Sequence, residues 1–269
     1  MITDRRGFTL VELIVVTVLG ALLVMASLEI LITNQRTYTA QTAQIQGQQA
    51  TRAGVDVLFN ELREISAQGG DLLAMGSTSL SVRSMRKFGV ACLVTNTSPP
   101  VIRALKVGDW FAMEDSVFVF ADNKTTLSSD DRWIAARLQG AAVDTTVTCG
   151  SAKAQNLTFA GQAALFTADS VRTGAAIRSF TRYRYGLITY AGDPYLGRTD
   201  AGGNTVPMVG PLKASNGVSF VYMDSVGTVT TTANKVRQIQ VTIRTASGVV
   251  NSVGNTVSDS ITALIYTRN

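Results

Sequence analysis

The chain divides by its hydropathy pattern into three stretches. From Phe8 to Ile32, 19 of 25 residues are apolar, and only Thr9, Glu12, Thr17, Gly20, Ser27 and Glu29 interrupt them. No proline occurs before Pro99. As a helix this stretch would run about 38 Å, enough to cross a hydrocarbon core of about 30 Å. Residues 33–68 are polar but keep apolar side chains at Val55, Leu58, Leu62 and Ile65, a helical spacing that continues the first segment as an amphipathic helix. Gly47 and Gly54 each weaken that helix by about 1 kcal/mol, which leaves room for a bend or local melting around the Gln-rich stretch Gln41 to Gln49. Gly69-Gly70 supplies its stop.

Beyond Gly70 the period changes to two. Short runs rich in β-branched and aromatic residues alternate with Gly, Asn, Asp and Ser clusters, the pattern of antiparallel strands. The clearest strands are Val117–Phe120, Arg178–Tyr190, Val218–Tyr222, Val236–Arg244 and Ile261–Tyr266. In the fourth, Ile239, Val241 and Ile243 share one face and Gln238, Gln240, Thr242 and Arg244 the other. A sheet with one wet face buries the apolar stripe of the helix, so the expected fold is α+β: a long N-terminal helix, membrane-spanning in its first half, packed on an antiparallel C-terminal domain over residues 69–269. Residues 122–131 and 198–205 read as surface loops.

Composition narrows the chemistry. Histidine is absent, which removes Ser-His-Asp and Cys-His catalysis and imidazole metal ligation. No nucleophile elbow, phosphate loop or dinucleotide fingerprint is present, so neither catalysis nor a cofactor is expected. Cys92 and Cys149 lack CxxC spacing and read as a structural disulfide, with two buried thiols as the alternative. The bridge would stabilise the fold by about 4 kcal/mol in the chain-entropy model and requires an oxidising compartment. There are 24 Lys plus Arg against 19 Asp plus Glu, a net +5 that implies no nucleic acid by itself.

The N-terminus carries the strongest signal. Arg5 and Arg6 sit just before the apolar span, so the positive-inside rule holds residues 1–7 in the cytoplasm. Glu12 is the anomaly, because an unpaired carboxylate at mid-membrane costs about 2.5 kcal/mol or more. Cleavage between Gly7 and Phe8 would create an α-amine on Phe8 able to neutralise the Glu12 of a neighbouring chain and to set its axial register. Two other readings are an ordinary signal peptide cut after Ala26 and an uncleaved anchor; neither accounts for Glu12.

The run Arg5-Arg6-Gly7-Phe8-Thr9-Leu10-Val11-Glu12 closely resembles the class III signal of type IV prepilins. That resemblance implies a leader at residues 1–7, a filament-core helix at residues 8–32, cleavage by prepilin peptidase after Gly7, N-methylation of Phe8 and subunit docking through Glu12. It also implies other major and minor pilins and an inner-membrane platform protein as partners, with a cytoplasmic ATPase supplying energy. The location implied is the bacterial inner membrane, single-pass with a periplasmic C-terminal domain, and then the assembled pilus or pseudopilus. Val218 to Gly227, with Tyr183-Arg184-Tyr185 and Tyr195-Leu196-Gly197-Arg198, looks like the Phe-x-Tyr-x-Asp-x-x-Gly hairpin of PilW-like minor pilins and J-type type II secretion pseudopilins. Residues 71–175 carry no such likeness. Major pilins usually have a mid-span proline and are shorter, so a minor pilin is the expected role, placed below the filament tip because Glu12 is present. A J-type pseudopilin and a membrane-anchored receptor or adhesin are the alternatives.

Two further constellations are candidates. Arg178, Arg182 and Arg184 fall on one strand face among Phe180, Tyr183 and Tyr185, a basic-aromatic surface that could hold DNA but is explained with less as a solvated face or a subunit contact. Asp122, Asp130 and Asp131 cluster without the spacing of a calcium loop, and no metal site is expected. Glu12→Ala is expected to abolish incorporation into filaments, scored by the chain's recovery in sheared fibres; undiminished recovery would remove the electrostatic account of docking.

Overall fold

The computed structural model describes residues 9–95, 97–122, 126, 131–142, 146–160, 171–251 and 254–268. One unbroken helix, α1 (Leu10–Leu62), takes up 53 residues and about 80 Å. Thr9 starts it with a capping box, its Oγ1 accepting from the Glu12 amide at 3.3 Å. It runs through Gly47 and Gly54 without melting. They mark where the sheet comes closest: a Cβ on Gly54 would stand 2.5 Å from Ile243 Cδ1, and one on Gly47 would stand 2.9 Å from Thr245 Oγ1. The helix also ends earlier than Gly69-Gly70. After Leu62 the chain is captured by the C-terminus, where the Arg268 amide donates to Ile65 O at 2.9 Å and Ser66 bridges Arg268. Ile65 is fully buried, so the apolar period outruns the helix by one turn.

A three-stranded antiparallel sheet receives the helix. It consists of β11 (Val218–Met223), β12 (Gln238–Val250) and β13 (Thr256–Tyr266) in that order. Its inner face carries Val218, Phe220, Tyr222, Ile239, Val241, Ile243 and Ile265, all buried, against Leu58 and Leu62 of the helix. Gln238, Gln240 and Arg244 lie on the other, wetter face as the alternation predicts. Thr51 in the middle of the seam is fully buried and hydrogen-bonds Asp259 Oδ2 at 2.7 Å.

The rest is one ten-stranded antiparallel sheet that closes on itself. The strands β2 (Ser79–Thr95), β3 (Val101–Val107), β7 (Ala152–Phe159), β5 (Arg132–Ala142), β4 (Ser116–Ala121) and β8 (Ala176–Tyr190) pair in that circuit, and β8 returns to β2. A six-stranded barrel results, filling the region for which the sequence offered no likeness. Its interior holds Ile102, Val117, Val119, Ile134, Leu138, Leu157, Phe159 and Ile177 with the small residues Ala91, Ala104, Ala121 and Ala136. β6 (Thr148–Cys149) pairs with β7, and Cys92 and Cys149 are disulfide-bonded with Cα atoms 6.0 Å apart, which ties β2 to β6.

β8 is longer than the barrel needs. Its second half leaves the circuit to pair with β9 (Asp193–Asp200), and β9 pairs with β10 (Thr205–Val209). Residues 198–205 are therefore a hairpin with a short turn, not one loop. β1 (Leu72–Met75), the start of β2 and the β9–β10 hairpin face the helix and the small sheet across a second core, in which Tyr185, Leu80, Val82 and Leu196 are buried. Of residues 122–131, Asp122, residue 126 and Asp131 alone are among those described. Gly54→Val is expected to destabilise the chain by about 1–3 kcal/mol through overpacking against Ile243, whereas the same change at the unobstructed Gly20 is expected to leave urea unfolding of the detergent-solubilised protein unchanged.

Candidate functional site

The helix is two physically different objects in one. From Ala40 onward its inward stripe, Ala40, Thr51, Gly54, Leu58 and Leu62, is buried on the β domain. From Thr9 to Thr39 every residue is exposed, and within that half lie Leu10, Leu13, Ile14, Leu22, Leu23, Val24, Met25 and Ile30. This segment is long and apolar enough to cross a membrane. No contact among the described residues covers it, so its stable surroundings are lipid or other helices.

Glu12 sits one turn into this apolar cylinder. Its Oε2 accepts from the Thr9 amide and from Thr9 Oγ1, both at 3.5 Å, so the carboxylate is turned back toward the N-terminal end. The positive end of the helix dipole favours a negative group there. Gly7 and Phe8, the expected cleavage and methylation positions, lie outside the described residues.

Residues 2–28 match the family model of the prokaryotic N-terminal methylation motif. The N-terminal segment carries the class III signal of type IV prepilins and pseudopilins. No curated protein and no solved structure matches it. A class III signal implies processing by prepilin peptidase and assembly with other pilins, and the apolar half-helix behind it provides the membrane anchor.

The candidate basic surface is only partly a surface. Arg182 and Arg184 are exposed, but Arg178 is 3% exposed, so the three do not form one solvent-facing row. The Arg178 guanidinium makes a bidentate pair with Asp71, Nη1 to Oδ2 at 3.1 Å and Nη2 to Oδ1 at 3.3 Å. It lies over the rings of Trp133 and Phe118, with Arg83 in turn over Phe118 and Phe180. Asp71 Oδ2 also accepts from the Ser66 amide at 2.9 Å, and Arg83 Nη1 donates to Gly70 O at 2.7 Å. Burial lowers the pKa of Arg178 and is only partly offset by Asp71. This face of the barrel is the seat on which residues 66–71 fasten the end of the helix. The alternation in Arg178 to Tyr185 was legible, but the cover supplied by residues distant in sequence was not. Asp71 carries no periodic signal that could have identified it.

The hairpin likeness has a clear structural basis. Asp224 Oδ1 accepts from the amides of Val226 and Thr228 at 3.0 and 2.9 Å, and Gly227 takes φ 83, a tight turn closed by its aspartate. Tyr222 donates its hydroxyl to Gly76 O at 2.9 Å, and burial raises its pKa. Asp122 and Asp131 are described and Asp130 is not; among the described residues no group of three metal-ligating side chains is found. Arg178→Ala is expected to cost about 3–5 kcal/mol by leaving Asp71 buried and unpaired, and Arg178→Met with Asp71→Leu is expected to cost clearly less than the two single changes together, measured by urea unfolding.

Proposed function

We propose that the chain is a minor subunit of a type IV pilus, a structural component without catalytic activity or cofactor. It enters the bacterial inner membrane with residues 1–7 in the cytoplasm and the β domain in the periplasm. Prepilin peptidase cuts after Gly7, Phe8 is methylated, and an inner-membrane platform protein and a cytoplasmic ATPase extract the span. The exposed helix half then packs into the filament core among other pilins, and the β domain lies on the outside. The observation that carries this reading is the continuity of one helix from an uncovered apolar half to a half docked on a folded domain, directly behind the methylation motif. The size of the chain and a span without proline favour a minor subunit over a major one.

A J-type pseudopilin of a type II secretion system is the second reading, because the Phe220, Tyr222, Asp224 and Gly227 hairpin resembles that group as well as PilW-like minor pilins. It differs in the machine served and not in the mechanics of this chain. N-terminal sequencing of the protein purified from its own cells is expected to return methylated Phe8 as the first residue; Met1, or a residue following Ala26, would overturn the assembly reading.

A further inference from the structure

Where the helix enters the β domain, a cleft of about 580 Å³ opens between α1, the end of β10 and the ends of β12 and β13. Its helix wall is smooth, because Ala43, Ala50 and Ala53 present only methyl groups. From Ala43 to Ala53 that wall is about 15 Å long, the length of roughly four residues of extended chain. Tyr195, Met208 and Pro211 form an apolar wall opposite. Tyr195 is fixed in place: its ring stands edge-on to Tyr190 with centroids 5.8 Å apart, and a Cβ on Gly210 would come within 2.5 Å of it. The cleft is therefore formed before any occupant arrives, as ligand sites usually are.

Asp259 is the one charged side chain on this lining. Thr51 Oγ1 donates to its Oδ2 at 2.7 Å and so orients the carboxylate. Its other oxygen accepts no hydrogen bond among the described residues, and no Lys or Arg among them pairs with it. Gln44, Gln46 and Gln49 line the same cleft with exposed carboxamides that are unbonded among the described residues.

These groups define the chemistry of the occupant. A lone carboxylate repels phosphate, which rules out nucleic acid and anionic lipid head groups and calls for a cation. A cation on an aliphatic stem lays its methylenes along Met208 and Pro211 while its head reaches Asp259. Carboxamides both donate and accept, which matches the one N–H and one C=O that each residue of an extended backbone offers. A free amine would leave the carboxamides and most of the alanine wall unused.

We propose that this cleft is the docking site for an extended basic segment of another pilin, whose Lys or Arg side chain pairs with Asp259 and whose backbone is held by Gln44, Gln46 and Gln49. The identity of the partner as a pilin rests on the assembly reading. The cleft begins about 16 Å beyond Ile32, just past Ala40, where the β domain starts to cover the helix. A subunit packed against the uncovered half below therefore stands beside its mouth. Pairing by charge gives the chain a means of choosing its neighbour that an apolar span lacks, since a segment bearing Asp or Glu would be repelled.

The test uses the full chain in detergent micelles, isotope-labelled at its methionine methyl groups, with Met208→Leu to identify the Met208 signal by nuclear magnetic resonance. The probes are the capped tripeptide acetyl-Ala-Arg-Ala-amide, its Gln analogue and agmatine. The arginine peptide is expected to shift the Met208 signal saturably and about tenfold more tightly than the Gln analogue, while the exposed Met113 does not move. Asp259→Asn keeps an acceptor for Thr51 and removes the charge, and is expected to bring both peptides to the same weak binding. A Met208 signal that never moves, or an arginine preference that survives Asp259→Asn, would overturn the site. Agmatine binding as tightly as the arginine peptide would overturn its assignment to a polypeptide. Each of these failures leaves the filament reading standing, because that reading is decided by the mature N-terminus.

Discussion

The constraint that orders this molecule is that a single helix is covered by its own chain over only half its length. A folded domain normally hides the apolar face of each helix it contains, and α1 does so from Ala40 onward by a stripe of small and aliphatic residues. Between Leu10 and Ile32 the helix is apolar nearly all round, and among the described residues no element reaches it. The uncovered half demands lipid when the subunit is alone and other helices when it is not. Both states use the same surface, so the chain can pass from one to the other without refolding.

The domain is arranged to leave that half free while gripping the remainder. Gly47 and Gly54 bring the helix backbone against β12 and β13, Thr51 and Asp259 add one buried polar contact to the seam, and Leu58, Leu62 and Ile65 complete the core. Where the helix stops, residues 66–71 turn onto the barrel, and Asp71 is fastened beneath by Arg178 between aromatic rings. A buried ion pair adds little net stability against an apolar replacement but penalises misplacement strongly, which suits a joint that fixes one domain orientation on a long lever.

How much of this was legible follows from where local pattern and tertiary cover agree. The helix, its apolar half and the strands Val218–Met223, Gln238–Val250 and Thr256–Tyr266 obey their own periods, and the structure matches the sequence there to within a few residues except that β12 runs on from Arg244 to Val250 and β13 begins earlier, at Thr256. The barrel did not show itself because a narrow closed sheet requires small residues inside: β5 reads Arg-Trp-Ile-Ala-Ala-Arg-Leu-Gln, whose composition favours a helix, and Gly89 is needed because a Cβ there would meet Phe111 at 2.9 Å. Gly47 and Gly54 were misread for a related reason. Glycine weakens an isolated helix, but in a docked one it marks the closest approach of a neighbour. Arg178 alternated onto the expected face and was nevertheless buried, because residues 66–71 return over that face.

Glu12 shows how an isolated subunit and an assembled one can share one side chain. An apolar helix carrying a bare carboxylate would be costly in lipid, yet the group is held by the amide and hydroxyl of Thr9 and sits at the positive end of the helix. These contacts are long, at 3.5 Å, and are made to neutral donors. A full positive charge is a stronger partner, since hydrogen bonds between ionised groups are roughly twice as strong as neutral ones. The proposed cleavage after Gly7 would leave Thr9 second in the chain, so a new amine would arise one residue before the capping position toward which the carboxylate points. The capping box therefore makes Glu12 tolerable in the isolated chain without satisfying it fully, and under the proposed assembly the unsatisfied remainder would be open to a neighbouring amine.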